Sequence, residues 1–192
     1  MGNGIKKTVS GNKGFSLVEI MVVIAIMMIL VGMAVLSFNI VSNANVSQAA
    51  NSLNASFSTA RSTSMAKGLD AGTLTIKIIE GKVYTYIGSA ADGYAATARQ
   101  MEKVSTNAIS MELAASDNAL GGAVLSEGYI KQYSFRPSGA MCIVNYAGGG
   151  EPTYTDYTSE SCICYVFKNK KRGSRVFIYP ETGRHDVGIW NF

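Results

Sequence analysis

Lys13-Gly14-Phe15-Ser16-Leu17-Val18-Glu19, followed by IMVVIAIMMILVGMAVL from Ile20 to Leu36, is the stretch on which the reading of this chain turns. Glu19 is the only charged residue between Lys13 and Arg61, and it stands at the mouth of 17 uncharged, mostly apolar residues. At ~1.5 Å of rise per residue, a helix from Phe15 to Ile40 would be ~39 Å long, enough to cross a bilayer. A carboxylate placed in hydrocarbon costs at least ~2.5 kcal/mol unless it finds a partner, so Glu19 marks a functional position.

Working outward toward the N-terminus, MGNGIKKTVSGNKG carries Lys6, Lys7 and Lys13 and no acid. Flanking positive charge favours retention of this end in the cytoplasm, which sends everything from about Asn43 across the membrane. A cleaved secretory signal would use the small residues Ser42-Asn43-Ala44, but the apolar run exceeds the ~7 to 15 residues of an ordinary signal core. A plain signal anchor fits the length and leaves Glu19 without a reason.

Gly14-Phe15-Ser16-Leu17-Val18-Glu19, after a basic leader and before an apolar helix, resembles the prepilin processing motif of type IV pilins and type II secretion pseudopilins. The resemblance implies cleavage after Gly14 on the cytoplasmic side, N-methylation of Phe15, and assembly of the long helices into a filament core. Glu19 would then lie one helical turn inside the new terminus, where it can pair with the amino group of Phe15 on a neighbouring subunit.

Working outward the other way, Ala50, Leu53, Phe57, Ala60 and Ser64 recur at spacings of three and four, one stripe of an amphipathic helix. Gly68 after Lys67 supplies a C-terminal cap. One helix of about fifty residues is expected, with Gly32 as its intrinsic weak point. The alanine-rich stretch 49–66, with its Ala60-Arg61 pair, resembles the GspH/FimT-like minor pseudopilins and minor pilins. So do Tyr129 to Gly139 and the closing pair Ser174 to Tyr179 and Thr182-Gly183-Arg184.

From Thr73 the period shifts to two. Expected strands are Thr73 to Ile79 and Lys82 to Ile87, joined by Glu80-Gly81 as a hairpin, then Ala108 to Leu113, Tyr129 to Arg136, Ala140 to Tyr146, Cys162 to Lys168 and Ser174 to Tyr179. Residues 88–100, 116–127 and 147–159 read as loops. The expected fold is α+β: a long N-terminal helix, transmembrane then amphipathic, packed on a C-terminal antiparallel β domain. The expected divisions are a cleaved leader over 1–14, a membrane or filament-core half over 15–41, an amphipathic half over 42–68 and a β domain over 69–192.

Cys142, Cys162 and Cys164 all fall in the exported part, where a disulfide is the default. Cys162 and Cys164 share strand parity, so either could meet Cys142 across the sheet. The three cysteines with His185 could also offer four zinc ligands, but C-x-C on a strand lacks the turn spacing of structural zinc sites, and no metal or cofactor is expected. The formal charge is +4, yet three of the 17 basic residues and none of the 13 acids are in the leader, leaving about +1 from Phe15 onward. Basic charge concentrates at Lys168, Lys170, Lys171, Arg172, Arg175 and Arg184, near Tyr179 and Trp190, a pattern that suits phosphate contacts and base stacking. Some FimT-like pilins act in DNA uptake through a terminal Gly-Arg region; here Asp186 stands where a second basic residue would help.

No nucleophile, phosphate loop or carboxylate pair stands at motif spacing, so an enzyme is not expected. The expected function is a structural subunit, a minor pilin or pseudopilin of a type IV pilus or type II secretion pseudopilus. The alternative is a filament-tip module that captures DNA. The implied partners are other pilin or pseudopilin subunits, prepilin peptidase, an inner-membrane assembly platform, the lipid bilayer before assembly and, in the alternative, DNA. The implied location is the inner membrane, single-pass with the N-terminus cytoplasmic, and then an extracytoplasmic filament or the cell surface.

Overall fold

The computed structural model describes residues 14–106, 109–114, 122–157, 162–169 and 172–191, with the side chains of 34–43, 172 and 189–191 outside the description. It divides into two units, one ending at Ile40 and one running from Val41, both of which share the helix α1 (Leu17–Lys67).

In the second unit, α1 buries Val46, Ala49, Ala50, Leu53, Phe57 and Ala60. The stripe read from the sequence is thus the buried face, and it ends on Ser64, whose hydroxyl donates to the Gly72 carbonyl at 3.0 Å. Gly68 closes the helix with φ of +100° and donates to the Ser64 carbonyl at 2.9 Å, the left-handed cap that glycine adopts without a Cβ penalty.

The remaining elements are β1 (Thr73–Ile79), β2 (Lys82–Gly88), α2 (Ala90–Ala95), β3 (Glu102–Lys103), β4 (Ser110–Ala114), β5 (Ala123–Val124), β6 (Ile130–Phe135), β7 (Met141–Asn145), β8 (Thr153–Asp156), β9 (Ile163–Lys168), β10 (Arg172–Tyr179) and β11 (Arg184–Asn191). They form two antiparallel sheets, of order β3-β2-β1-β6-β7-β8 and β11-β10-β9-β4-β5. The fold class is therefore α+β, a helix with an antiparallel β domain. The β1–β2 hairpin turns on Glu80 and Gly81, both at positive φ, and the Glu127 carboxylate accepts their amides at 2.9 and 3.0 Å. Those two backbone bonds hold the Glu127 carboxyl below its usual range.

Four expectations are corrected. Residues 116–127 contain the two-residue strand β5, paired with β4. Residues 88–100 contain α2, begun by Ser89, whose hydroxyl accepts from the Asp92 amide at 3.1 Å. Residues 147–159 contain β8, and Arg184 begins an eight-residue strand, β11, rather than only a closing turn. Lys77 accounts for α2: its ammonium, buried beneath the helix, donates to the carbonyls of Tyr94 and of Ala96, the latter at 3.0 Å, and satisfies the helix C-terminus.

The two sheets and α1 share one core, with Phe57 at its centre against the rings of Tyr133, Phe135 and Tyr165. Tyr133 from the first sheet and Tyr165 from the second join hydroxyls at 2.6 Å, and the Tyr129 hydroxyl lies 3.2 Å from that of Tyr165. Burial is the main cause that raises the phenol pKa of all three. A raised folded pKa means stability that is whole below the unfolded value of about 10 and is lost as pH climbs through the folded one. Urea midpoints of a fragment starting at Val41 are expected to hold to about pH 10 and then fall, with unfolding and tyrosinate absorbance appearing together.

Candidate processing and assembly site

Gly14, Phe15 and Ser16 precede α1, and the first helical bond runs from the Ile20 amide to the Ser16 carbonyl at 3.2 Å. The Gly14–Phe15 peptide bond therefore lies outside the helix, where a protease can take it without unwinding a turn. A methyl at Gly14 would meet nothing within 4 Å, and Phe15 is 77 % exposed. Glu19 sits in the first turn, where a carboxylate complements the positive end of the helix.

Around and beyond Glu19, fifteen large apolar side chains from Phe15 to Met33 are exposed, Met28 by 70 %. They occupy consecutive positions and so every face of the helix. A helix apolar all round belongs in an apolar environment, because ~25 cal/mol per Å² opposes leaving that surface in water. Among the described residues no helix is long and apolar enough to cross a membrane. The described side chains of this helix stop at Met33, so the expected span from Ile20 to Leu36 runs beyond them.

Of the cations expected to form one basic surface, Arg184 is set apart from the others whose positions are described. Lys168 is held by Glu112 at 2.5 Å, a carboxylate only 2 % exposed. Arg175 lies on β10 opposite Val166 and Gly188, with its Nε shielded from solvent. Arg184 is bound to Asp186 at 2.7 Å and lies over the Tyr179 ring. It pairs with Tyr179, whereas Arg172 pairs with Asn191 at the other end of the same hairpin. Seven residues of strand, ~23 Å, separate the two ends. Lys170 and Lys171, and the side chain of Arg172, lie outside the described residues.

The bridge expected from Cys142 to Cys162 or Cys164 across one sheet does not form; none of the three is in a disulfide. Cys142 is on β7 of the first sheet, opposite Ser134, and donates to the Ser134 carbonyl at 3.4 Å. Cys164 is on β9 of the second sheet and packs with Ala114, Val166 and Phe177. Their strand neighbours Met141 on β7 and Ile163 and Tyr165 on β9 face the shared core, so alternation turns both thiols, themselves buried, to the other face of each sheet. Cys162 lines a separate cleft with Tyr133 and Tyr157. His185, half-buried on β11, packs its ring against Phe57 at 6.4 Å, so these four residues do not converge.

Three residues far apart in sequence meet at one junction of the fold. Gly139, Gly183 and Arg61 meet: a methyl at Gly183 would fall 2.1 Å from the Gly139 carbonyl oxygen, and one at Gly139 would fall 2.7 Å from Nη2 of Arg61. Only the resemblance to one pilin branch had singled these out together; periodicity carries no signal for a contact between separate turns.

Residues 9–35 match the family model of the prokaryotic N-terminal methylation motif. The matched stretch includes Gly14, Phe15 and Glu19, and it supports a type IV pilin-like prepilin, since the motif implies processing by prepilin peptidase and assembly with other pilins. Comparison with the curated proteins and with the solved structures finds no match.

Proposed function

We propose that this chain is a minor pilin or pseudopilin of a type IV pilus or type II secretion pseudopilus, most similar to the GspH/FimT-like branch, and acts by assembly rather than catalysis. The observation that carries the reading is the apolar helix, exposed on every face from Leu17 to Met33, within the methylation motif. In the inner membrane, with the leader cytoplasmic, lipid covers that helix. In a filament, neighbouring helices replace the lipid, so apolar contact is exchanged rather than lost and the transfer has a small driving force of its own. The assembly platform moves the subunit, and Glu19 supplies the register by pairing with a neighbour's Phe15 amine.

Intact mass and N-terminal sequencing of the membrane-extracted protein test the first step. The expected chain starts at methylated Phe15; an intact Met1 terminus or a start after Ala44 would overturn it. Glu19→Val is expected to leave cleavage unchanged and to lower the amount of subunit in sheared filaments by about tenfold or more, since a lost charged hydrogen bond weighs ~1.5–3 kcal/mol. Equal incorporation of the variant would remove Glu19 from the assembly step.

A further inference from the structure

Lys131 shares its strand parity with Tyr133 on β6 and pairs with Ile76 on β1. Both of those residues belong to the shared core, so alternation puts the lysine side chain on the inner face of the first sheet, among apolar positions. It is half-buried there, and among the described residues no carboxylate pairs with it.

On that face Lys131 lines a cleft of about 280 Å³ between the two sheets, walled by Tyr133 and Ile143 of the first and by Leu113 and Ile163 of the second, with no acid in its lining. It also borders a second cleft with Gln132, Val144 and Glu151. Gln132 and Val144 have the opposite parity, which puts that cleft on the other face of the sheet, and Glu151 forms no ion pair with the lysine.

An inward lysine keeps its ammonium hydrated by running its stem along the apolar wall. The result here is a single unanswered cation beside walls that offer little to a polar ligand, which fits one negative charge carried on an apolar body. An apolar cavity of about 150 Å³ accepts a benzene ring. The cleft has nearly twice that volume, room for a ring with a short acid arm. A phosphate ester carries close to two charges and a nucleic acid many, which call for several cations. A carboxylate is matched by one ammonium.

We infer that this cleft binds a small carboxylic acid with an apolar or aromatic body, its carboxylate on Lys131 and its body between Ile143 and Ile163. The site is independent of the assembly reading and gives the β domain a ligand of its own.

Calorimetric titration of the full-length chain in phospholipid nanodiscs with hydrocinnamate tests it, against empty nanodiscs. Saturable binding at about millimolar concentration is expected. Hydrocinnamyl alcohol, the same body without the charge, is expected to bind the wild-type chain about tenfold more weakly. Lys131→Met is expected to weaken the acid about tenfold and leave the alcohol unchanged, while Lys131→Arg keeps the acid. Cys162, a half-buried thiol in the same cleft, reports the location: saturating hydrocinnamate should slow its alkylation by iodoacetamide severalfold. No saturable heat beyond that of empty nanodiscs, equal affinity of the wild-type chain for acid and alcohol, or an unchanged Cys162 rate at saturation would overturn the inference and leave the assembly reading intact.

Discussion

Phe57→Ala is expected to destabilise the β domain by about 3–5 kcal/mol, the range for emptying a fully buried aromatic site. Phe57 is 0 % exposed and touches four rings from two sheets: Tyr133 and Phe135 of the first, Tyr165 and His185 of the second. Those rings are fixed by their strands, and two are tied by hydroxyl contacts, so they cannot collapse into the space. Against a typical domain stability of about 5–15 kcal/mol, this single change would leave a large fraction unfolded at growth temperature. Urea unfolding of the fragment starting at Val41 measures it; a loss below about 1 kcal/mol would mean that the helix is not the centre of the core.

Gly183→Ala is expected to remove about 3 kcal/mol through two separable causes, left-handed backbone strain of ~1–2 kcal/mol and overpacking of ~1–3 kcal/mol. The added methyl would sit 2.1 Å from the Gly139 carbonyl oxygen and 3.0 Å from the Phe135 ring, which forces the two turns apart. That separation would also strain the 2.7 Å bond from the Met141 amide to the Pro180 carbonyl. Gly128→Ala is the control, with φ of +82° but open space around it, and should show the strain alone. Equal losses for the two variants would rule out the packing argument.

The helix and most strands were legible because their patterns are long or regular. Ala50 to Ser64 gives five buried residues at helical spacing, and Thr73 to Ile79 with Lys82 forms a hairpin around turn residues that accept positive φ. β11 was missed because His185-Asp186-Val187-Gly188 interrupts a strand pattern with charge and glycine; its place is set by pairing with β10, a long-range contact. α2 is six residues long and owes its ends to Ser89 and to Lys77, thirteen residues before it, so local propensity says little about it. The split into two sheets was not legible at all. That split, and not strand parity, decides where the cysteines go.

At the N-terminus the motif itself carries the reading, since the roles proposed for Gly14 and Glu19 involve partners outside the chain. In the basic region the reverse held. Asp186 is legible beside Arg184 in the sequence, but the Glu112 that holds Lys168 is not, and only the register shows that Lys168 pairs near the start of β10 and Arg184 at its end.

The outward, opposed placement of Cys142 and Cys164 has a consequence for stability. Among the described residues the two sheets are joined in the core by a tyrosine hydroxyl contact and by Phe57, with no disulfide between them. A reductant is then expected to leave the urea midpoint of the fragment starting at Val41 unchanged.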